Sequence, residues 1–410
     1  MEDAPEIKNE NAKLTINPKI YIFSILAFFS IFSPAILHSN PSELFNALFG
    51  SPEAPLSEAT VVQINGLYDS IYYFAFFIGL VLGPISDQKG KRKVFILLGG
   101  VIFILSSFWT IRSPSIAWLL VFRLFQGIGH ILAWQTLMIL VFDYSSKENA
   151  GRSLSIFFIF IGAAMGLGSM FGGLLADVGV FVPLITSMIL YSVVLIGTIF
   201  FISDPPFSHK RPSLKESFLL LKQNTTVIVP SIFNFVDRLH MGFLLTLVPL
   251  YLTYIIPVAP GIRGMVFGLS ALPTIALTYP IGKKSDLSWG RFKPLIVGSI
   301  IFGILLSLTG YLSGSSLFVF IIILLLQGFA RGVTTAPNKS LLNDLVDSEN
   351  NATAVAFFNF FGNIGIVFGP LLVYIFRTNY NIAFLVAGLI ELGSLGINYV
   401  LARKMGFANM

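Results

Sequence analysis

The chain has 410 residues, 55% hydrophobic and 11% charged, with no cysteine and a formal net charge of +6, and its mean hydropathy is +0.82. That composition excludes an ordinary soluble domain, and the lack of cysteine excludes disulfides and thiolate metal sites. Basic flanks around apolar segments account for the charge, so it calls for no nucleic-acid partner.

Residues 1–17 carry acids and lysines without an apolar core or a small-residue cleavage site, and read as a cytoplasmic tail rather than a signal peptide. Apolar runs of about 20 residues, the length that crosses a hydrocarbon core, follow near 18–38, 62–84, 94–112, 116–142, 152–176, 180–202, 227–253, 264–282, 294–312, 315–342, 352–376 and 381–402. Their length and continuity predict helices, since barrel strands would be about 10 residues long and alternate in polarity. The expected fold is an all-α integral membrane protein with twelve transmembrane helices. It divides into a six-helix bundle at 18–202, a cytoplasmic linker at 203–226, a second six-helix bundle at 227–402 and a tail at 403–410. Arg112, Arg263 and Arg377 fall in one set of loops and Arg123, Arg238 and Arg331 within spans. Every other Lys and Arg is counted with the segments on the side of the termini, so both termini are expected inside, and the expected location is a bacterial inner membrane.

The long loop 38–61 contains Leu44-Phe45-Asn46-Ala47-Leu48-Phe49, predicted as a short interfacial helix without an assigned role. The linker collects Pro205, Pro206 and Pro212 with an amphipathic patch, Leu214 to Lys222, that reads either as a tether or as a surface helix on the bilayer.

A charged segment after the second span, Gly83-Pro84-Ile85-Ser86-Asp87-Gln88-Lys89-Gly90-Lys91-Arg92-Lys93, is echoed after the eighth as Gly282-Lys283-Lys284-Ser285-Asp286-Leu287-Ser288-Trp289-Gly290-Arg291, with one extra residue before the second glycine. Gln126-Gly127 recurs as Gln327-Gly328 and Gly168-Ser169 as Gly369-Pro370, each 201 residues later. Two homologous halves explain all three pairs.

Polar residues inside the spans are functional candidates by default. Arg123 costs about 2.5–3.5 kcal/mol at mid-helix on insertion scales and needs a partner. It either faces a cavity or makes structural hydrogen bonds, and Gln126 lies on nearly the same face. Asp69, Asp237 and Glu391 are the intramembrane acids. Asp237 shares a face with His240, while Arg238 points about 100° away. Asp237 is the first candidate to load and release a proton, against the alternative of a static bridge to an arginine, and Asp69, Arg123 and His240 are the others. Glu391 sits on a span expected to be peripheral. Arg238, Gln126, Asn234, Arg331, Asn338, Asn359 and Asn363 are candidates for lining a substrate cavity, and the amides alternatively for bonding one another across helices. No Walker loop, Gly-x-Ser-x-Gly elbow or His-Glu-x-x-His is present, and His38, His130, His209 and His240 show no ligand spacing, so no enzyme chemistry, cofactor or metal is expected.

Twelve spans, a six-plus-six repeat and the loop pattern at Gly83, Asp87, Gly90, Lys91 and Arg92 together resemble the major facilitator superfamily across essentially the whole chain. The resemblance implies a secondary transporter with a midplane site, worked by rocking of two bundles. Asp87 would latch one side shut against the start of helix 11, with Asp143 completing its charge cluster and Asp286, Gly282, Gly290 and Arg291 forming the mirror-image latch against helix 5. Arg123-Leu124-Phe125-Gln126-Gly127-Ile128-Gly129 resembles a motif of proton-driven members. Gly162, Gly166, Gly168, Gly172 and Gly173 resemble the antiporter signature of helix 5, although Ser169 replaces its proline. Pro34 resembles a proline of twelve-helix drug:proton antiporters, whereas the first span lacks their acid. The resemblance therefore implies a monomeric, proton-coupled exporter of a small amphipathic molecule. Uptake of a sugar or organic acid, or lipid translocation, is the alternative.

Overall fold

The computed structural model describes residues 16–89, 91–145, 149–204, 215–216, 219, 224–347 and 350–407, apart from the side chains at 80–89, 150–151 and 351–352. Among these residues the chain forms thirteen α-helices and no strand. They are α1 (Lys19–Ala35), α2 (Pro41–Phe49), α3 (Glu58–Lys89), α4 (Arg92–Thr110), α5 (Ile116–Asp143), α6 (Ala150–Val178), α7 (Val182–Phe201), α8 (Ile228–Tyr254), α9 (Pro260–Lys284), α10 (Phe292–Ser313), α11 (Leu317–Asp344), α12 (Asn351–Phe376) and α13 (Tyr380–Lys404). Eleven are long and apolar enough to cross a membrane. With α3, whose 32 residues extend about 48 Å, they match the twelve predicted spans. The amphipathic linker patch lies outside the described residues except for Lys215, Glu216 and Leu219, all exposed.

The helix pairings repeat. Within the first half α1 packs on α5, α6 and α7, α3 on α5, and α4 on α5 and α7. Within the second half α8 packs on α11, α12 and α13, α9 on α11, and α10 on α11 and α13. Details recur with the pairings. Ser115 and Ser316 each accept a hydrogen bond at the start of α5 and α11, from the Trp118 and Val319 amides. Gln126 donates to Thr110 at 3.2 Å, and Gln327 donates to Thr309 at 2.7 Å. Arg92 Nε bonds Asp143 Oδ2 at 3.1 Å, and Arg291 Nε bonds Asp344 Oδ2 at 2.6 Å. The Asp344 carboxylate holds the Arg291 guanidinium above the usual arginine range.

The extra residue of the second charged loop is absorbed by a π-helical turn, Ser285–Trp289, the usual structural result of a one-residue insertion in a helix. Gly290 closes that turn at φ +69°, a left-handed conformation that a side chain would strain.

The two halves meet through α3 against α12, α6 against α9 and α3 against α8. They do so mainly on the side that carries loop 50–57, the loop side. One continuous core cluster there draws on both halves, including Phe45, Tyr68, Phe243, Tyr251 and Phe384. Toward the termini side the cores separate: one cluster, including Phe23, Phe103 and Phe157, belongs to the first half, and another, including Phe233, Phe292 and Phe407, to the second. Glycines let α6 and α9 touch. A Cβ on Gly173 would meet the Pro260 carbonyl and one on Gly268 the Gly166 carbonyl, whereas Gly162, nearer the termini side, has Ile275 no closer than 3.9 Å. The conformation is therefore shut on the loop side and looser on the termini side.

Loop 38–61 contributes to that closure. Helix α2 is not a bilayer-surface helix. Its Leu44 and Phe45 are buried in the protein, with the Phe45 ring edge-on to Tyr68 at 5.4 Å, because burial between the halves removes more apolar surface from water than one-sided contact would. Its Glu43 accepts from Arg263 Nη1 at 2.7 and 3.0 Å, a bond from one half to the other. Ser42 with Tyr254 at 3.0 Å, and Tyr380 donating to Glu58 at 2.8 Å, add two more cross-half bonds.

Candidate functional site

A buried charge network lies between the halves. Arg123 of α5 is fully buried, and its Nη2 lies 3.2 Å from Asp69 Oδ1 on α3. Its Nη1 donates to Gln126 Oε1 at 2.9 Å. The guanidinium also lies over the rings of Tyr68 and Tyr72, at 4.0 and 4.3 Å from their centroids. The other Asp69 oxygen accepts from Thr246 Oγ1 of α8 at 2.8 Å, so the pair is tied to the opposite half. Asn65 donating to the Thr246 carbonyl at 3.2 Å and Ser70 to the Val367 carbonyl at 3.0 Å reinforce the same seam. His38 Nδ1 stands 3.9 Å from Asp69.

The second group lines a cleft in the second half. Asn234, Asp237 and His240 rise along α8 at i, i+3 and i+6, and Arg331, Thr335, Asn338 and Lys339 follow one stripe of α11. Asp237 Oδ1 receives both Nε and Nη2 of Arg331, at 3.1 and 2.9 Å. Both side chains remain partly open to water, at 35% and 23%. Asn234 donates to the Phe358 carbonyl at 2.8 Å, fixing α8 against α12.

Deeper in the cleft, His240 is buried and its Nε2 lies 2.8 Å from the Ala387 carbonyl oxygen of α13. A carbonyl only accepts, so Nε2 carries a hydrogen and donates. The other ring nitrogen, Nδ1, faces Glu391 Oε2 at 3.3 Å. That contact lacks hydrogen-bond geometry, and Nδ1 is a buried polar atom with no hydrogen-bond partner among the described residues.

These contacts revise several sequence expectations. Arg123 does not face an open cavity, because Asp69 and two tyrosine rings enclose it. Asp69, a proton-loading candidate, is buried. Gln126 braces α5 to Ser107 and Thr110 of α4 and lines no cleft. Asp237 forms the arginine bridge that was its alternative reading. Asn359 is exposed and Asn363 half-buried, both outside the cleft lining. Glu391 is not peripheral: α13 packs on α8 and α10 and turns it inward.

Of the latch residues, Gly90 lies outside the described residues, as do the side chains at Gly83 and Asp87. Lys91 is exposed, and Arg92 pairs with Asp143 inside the first half. Asp286 pairs with Arg291 of its own half rather than with α6 in this conformation. Gly282 lies against Ala336 of α11. Of the helix-5 glycines, Gly168 and Gly172 face Ala35 and Ile36 at the end of α1, whereas Gly166 and Gly173 face α9 and its start. Lys339, counted with the basic flank, lines the cleft, and its position eight residues after Arg331 is a signal the helical period carries.

A sequence model described as Major Facilitator Superfamily matches residues 20–259 and 231–404. An uncharacterized MFS-type transporter of Bacillus subtilis, YqjV, is 28% identical over 44% of this chain, and the match spans 42% of YqjV. A second from that organism, YfkF, is 27% identical over 69% of this chain and 72% of its own. The multi-drug resistance efflux pump PmrA homolog of Lactococcus lactis is 24% identical over 71% and 72%. Among solved structures, a bacterial homolog of the lysosomal transporter Spinster, inward-facing and occupied, aligns at TM-score 0.75 with 13% identity over 94% of this chain and 96% of its own. A D-xylose-proton symporter aligns at 0.75 with 15% identity over 93% and 96%. At such identities these two show the shared fold.

Proposed function

The chain belongs to the major facilitator superfamily and is a membrane transporter, and from that premise we propose that it exports a small amphipathic molecule in exchange for protons. The observation that carries the proton coupling is the His240–Glu391 contact. With Nε2 committed to the Ala387 carbonyl, the unpartnered Nδ1 faces the Glu391 carboxylate at 3.3 Å, a place where a proton would bind both groups, and the pair lines the same cleft as Asp237 and Arg331. Loading and release of that proton would then alter the cleft as access alternates. The Asp237–Arg331 bridge stands where a substrate can compete for either partner. Asp69–Arg123–Thr246 is the second coupled element, since any change in its charge bears on a bond between the halves.

Outward export is supported by the similarity to the PmrA homolog. Each chain holds its own cleft, which supports action as a monomer, and the bacterial relatives support a plasma-membrane location with both termini cytoplasmic. Uptake of a polar nutrient is the second reading, favoured by the convergence of Asn234, Asn338, Thr334 and Thr335 in the cleft.

The test is proton release from energised inverted vesicles on addition of a panel of amphipathic compounds. The native chain should release protons with at least one compound. Glu391→Gln should lose that release while still exchanging labelled for unlabelled substrate. Full release by Glu391→Gln would remove the pair from the coupling mechanism, and Asp237→Asn is the next variant to compare.

A further inference from the structure

The cleft is charged asymmetrically. Arg331 is matched by Asp237, and Glu391 faces His240. Arg238 and Lys339 have no carboxylate within ion-pairing distance among the described residues. Arg238 donates to the Met241 sulfur, 3.9 Å away, and Lys339 lies 5.7 Å over the ring of Phe158 on α6. Both are exposed to water within the span of their helices. Lys339 lines the cleft, two turns and about 12 Å along α11 from Arg331. Arg238 stands at its edge, its side chain crossing Gly362 of α12. The Arg238 charge lies close enough to Lys339 to oppose it. Two such cations inside membrane-spanning helices, without a carboxylate partner, favour a negative ligand.

Aromatic surface adjoins both cations. Phe233, Phe302 and Phe358 line the cleft, Phe158 of α6 lies under Lys339, and Phe76 and Phe77 of α3 pack in one cluster with Met241, the residue that Arg238 touches. Apolar surface thus adjoins the two cations from both halves.

From this arrangement we propose that the transported molecule is an organic anion with an apolar body, its carboxylate or other acidic group bound between Arg238 and Lys339. The proposal rests on the transport reading above and adds its substrate class. A cationic substrate would have to displace the Arg331 guanidinium from Asp237 or reach Glu391 beside His240, with two further positive charges opposing it. An anion instead supplies the charge the cleft lacks.

Three probes with one tail and different charges provide the test: 4-hexylbenzoate, 4-hexylbenzamide and 4-hexylbenzylamine. Binding to the purified full chain in phosphatidylcholine nanodiscs is measured by equilibrium dialysis, with empty discs subtracted. The benzoate should bind saturably and at least tenfold more tightly than the amide or the amine. Arg238→Gln and Lys339→Gln should each weaken the benzoate about tenfold, which is about 1.4 kcal/mol, and leave the amide within twofold. Lys339→Arg should retain benzoate binding, which separates charge from shape. Amine binding equal to or tighter than benzoate, no saturable benzoate binding by monodisperse protein, or variants that weaken amide and benzoate alike would each overturn the proposal. If the benzoate binds as expected but proteoliposomes do not move it, the export reading fails and the binding site stands. If the amide or amine is moved without preference for the benzoate, the substrate class fails and transport stands.

Discussion

Replacing Thr246 by valine keeps the shape of the side chain and removes one hydrogen bond, the 2.8 Å donation to Asp69 Oδ2 across the seam. The acceptor is a buried carboxylate whose other oxygen is held by Arg123, so the lost bond is of the charged kind, with a net value of about 1.5–3 kcal/mol. The bond joins the halves and exists only while the loop side is shut. Its loss therefore falls on the closed state alone, and the open population should rise about tenfold to a hundredfold. The native chain has no cysteine, so a single introduced thiol can report opening without background. Val62 is fully buried on α3, one turn before Gly66, which lies against Pro370 and Tyr374 of α12. Val62→Cys should react slowly with a membrane-impermeant maleimide in the native background and about tenfold or more faster with Thr246→Val added, because labelling of a protected thiol follows the open population. An unchanged rate, in protein of unchanged thermal stability, would refute the view that this bond holds the loop side shut.

The duplicated arginine–aspartate pairs should differ in weight. Asp143→Asn, at a fully buried pair with Arg92, should cost about 3–5 kcal/mol, whereas Asp344→Asn, at a partly exposed pair, should cost about 1 kcal/mol or less, read as shifts in thermal unfolding in detergent. Gly290→Ala, at φ +69°, should destabilise by about 1–2 kcal/mol in the same assay. Gln126→Leu should cost more than Gln327→Leu, since Gln126 also accepts from Arg123 while the Gln327 oxygen already lacks a partner.

The architecture was legible because each span is a continuous apolar run whose backbone must satisfy itself in lipid, and predicted boundaries lie within about five residues of the observed helices. The repeat was legible from three short motifs, and it held more than they revealed. Applying the same 201-residue offset to Ser115 and Asp143 reaches Ser316 and Asp344, the matching cap and the matching arginine partner. What sequence did not reveal was which way a polar residue on an apolar helix faces. A span with one acid, such as α13, has too little polar pattern to define a face, so Glu391 looked peripheral until the packing of α13 on α8 turned it toward His240. Asp69 and Arg123 are 54 residues apart on different helices, and no local pattern announces their pairing.

The repeat also separates two kinds of polar residue. The glutamines that brace neighbouring helices, the serine caps and the arginine–aspartate pairs at the termini side occur twice, in equivalent places, and each holds one bundle together. The residues of the charge network and the cleft have no such counterparts. Shifting Asp69 and Arg123 by the offset reaches Ser270 and Leu324, and shifting Asp237 and Arg331 back reaches Ile36 and His130. A polar group that only stabilises a bundle is needed equally by both copies, whereas one that binds a single substrate or a single proton is needed once. The unduplicated set, Asp69, Arg123, Asp237, Arg238, His240, Arg331, Lys339 and Glu391, is thus where loss of activity without loss of folding should concentrate. Within it, six of the eight belong to the second half, the half that contains the cleft.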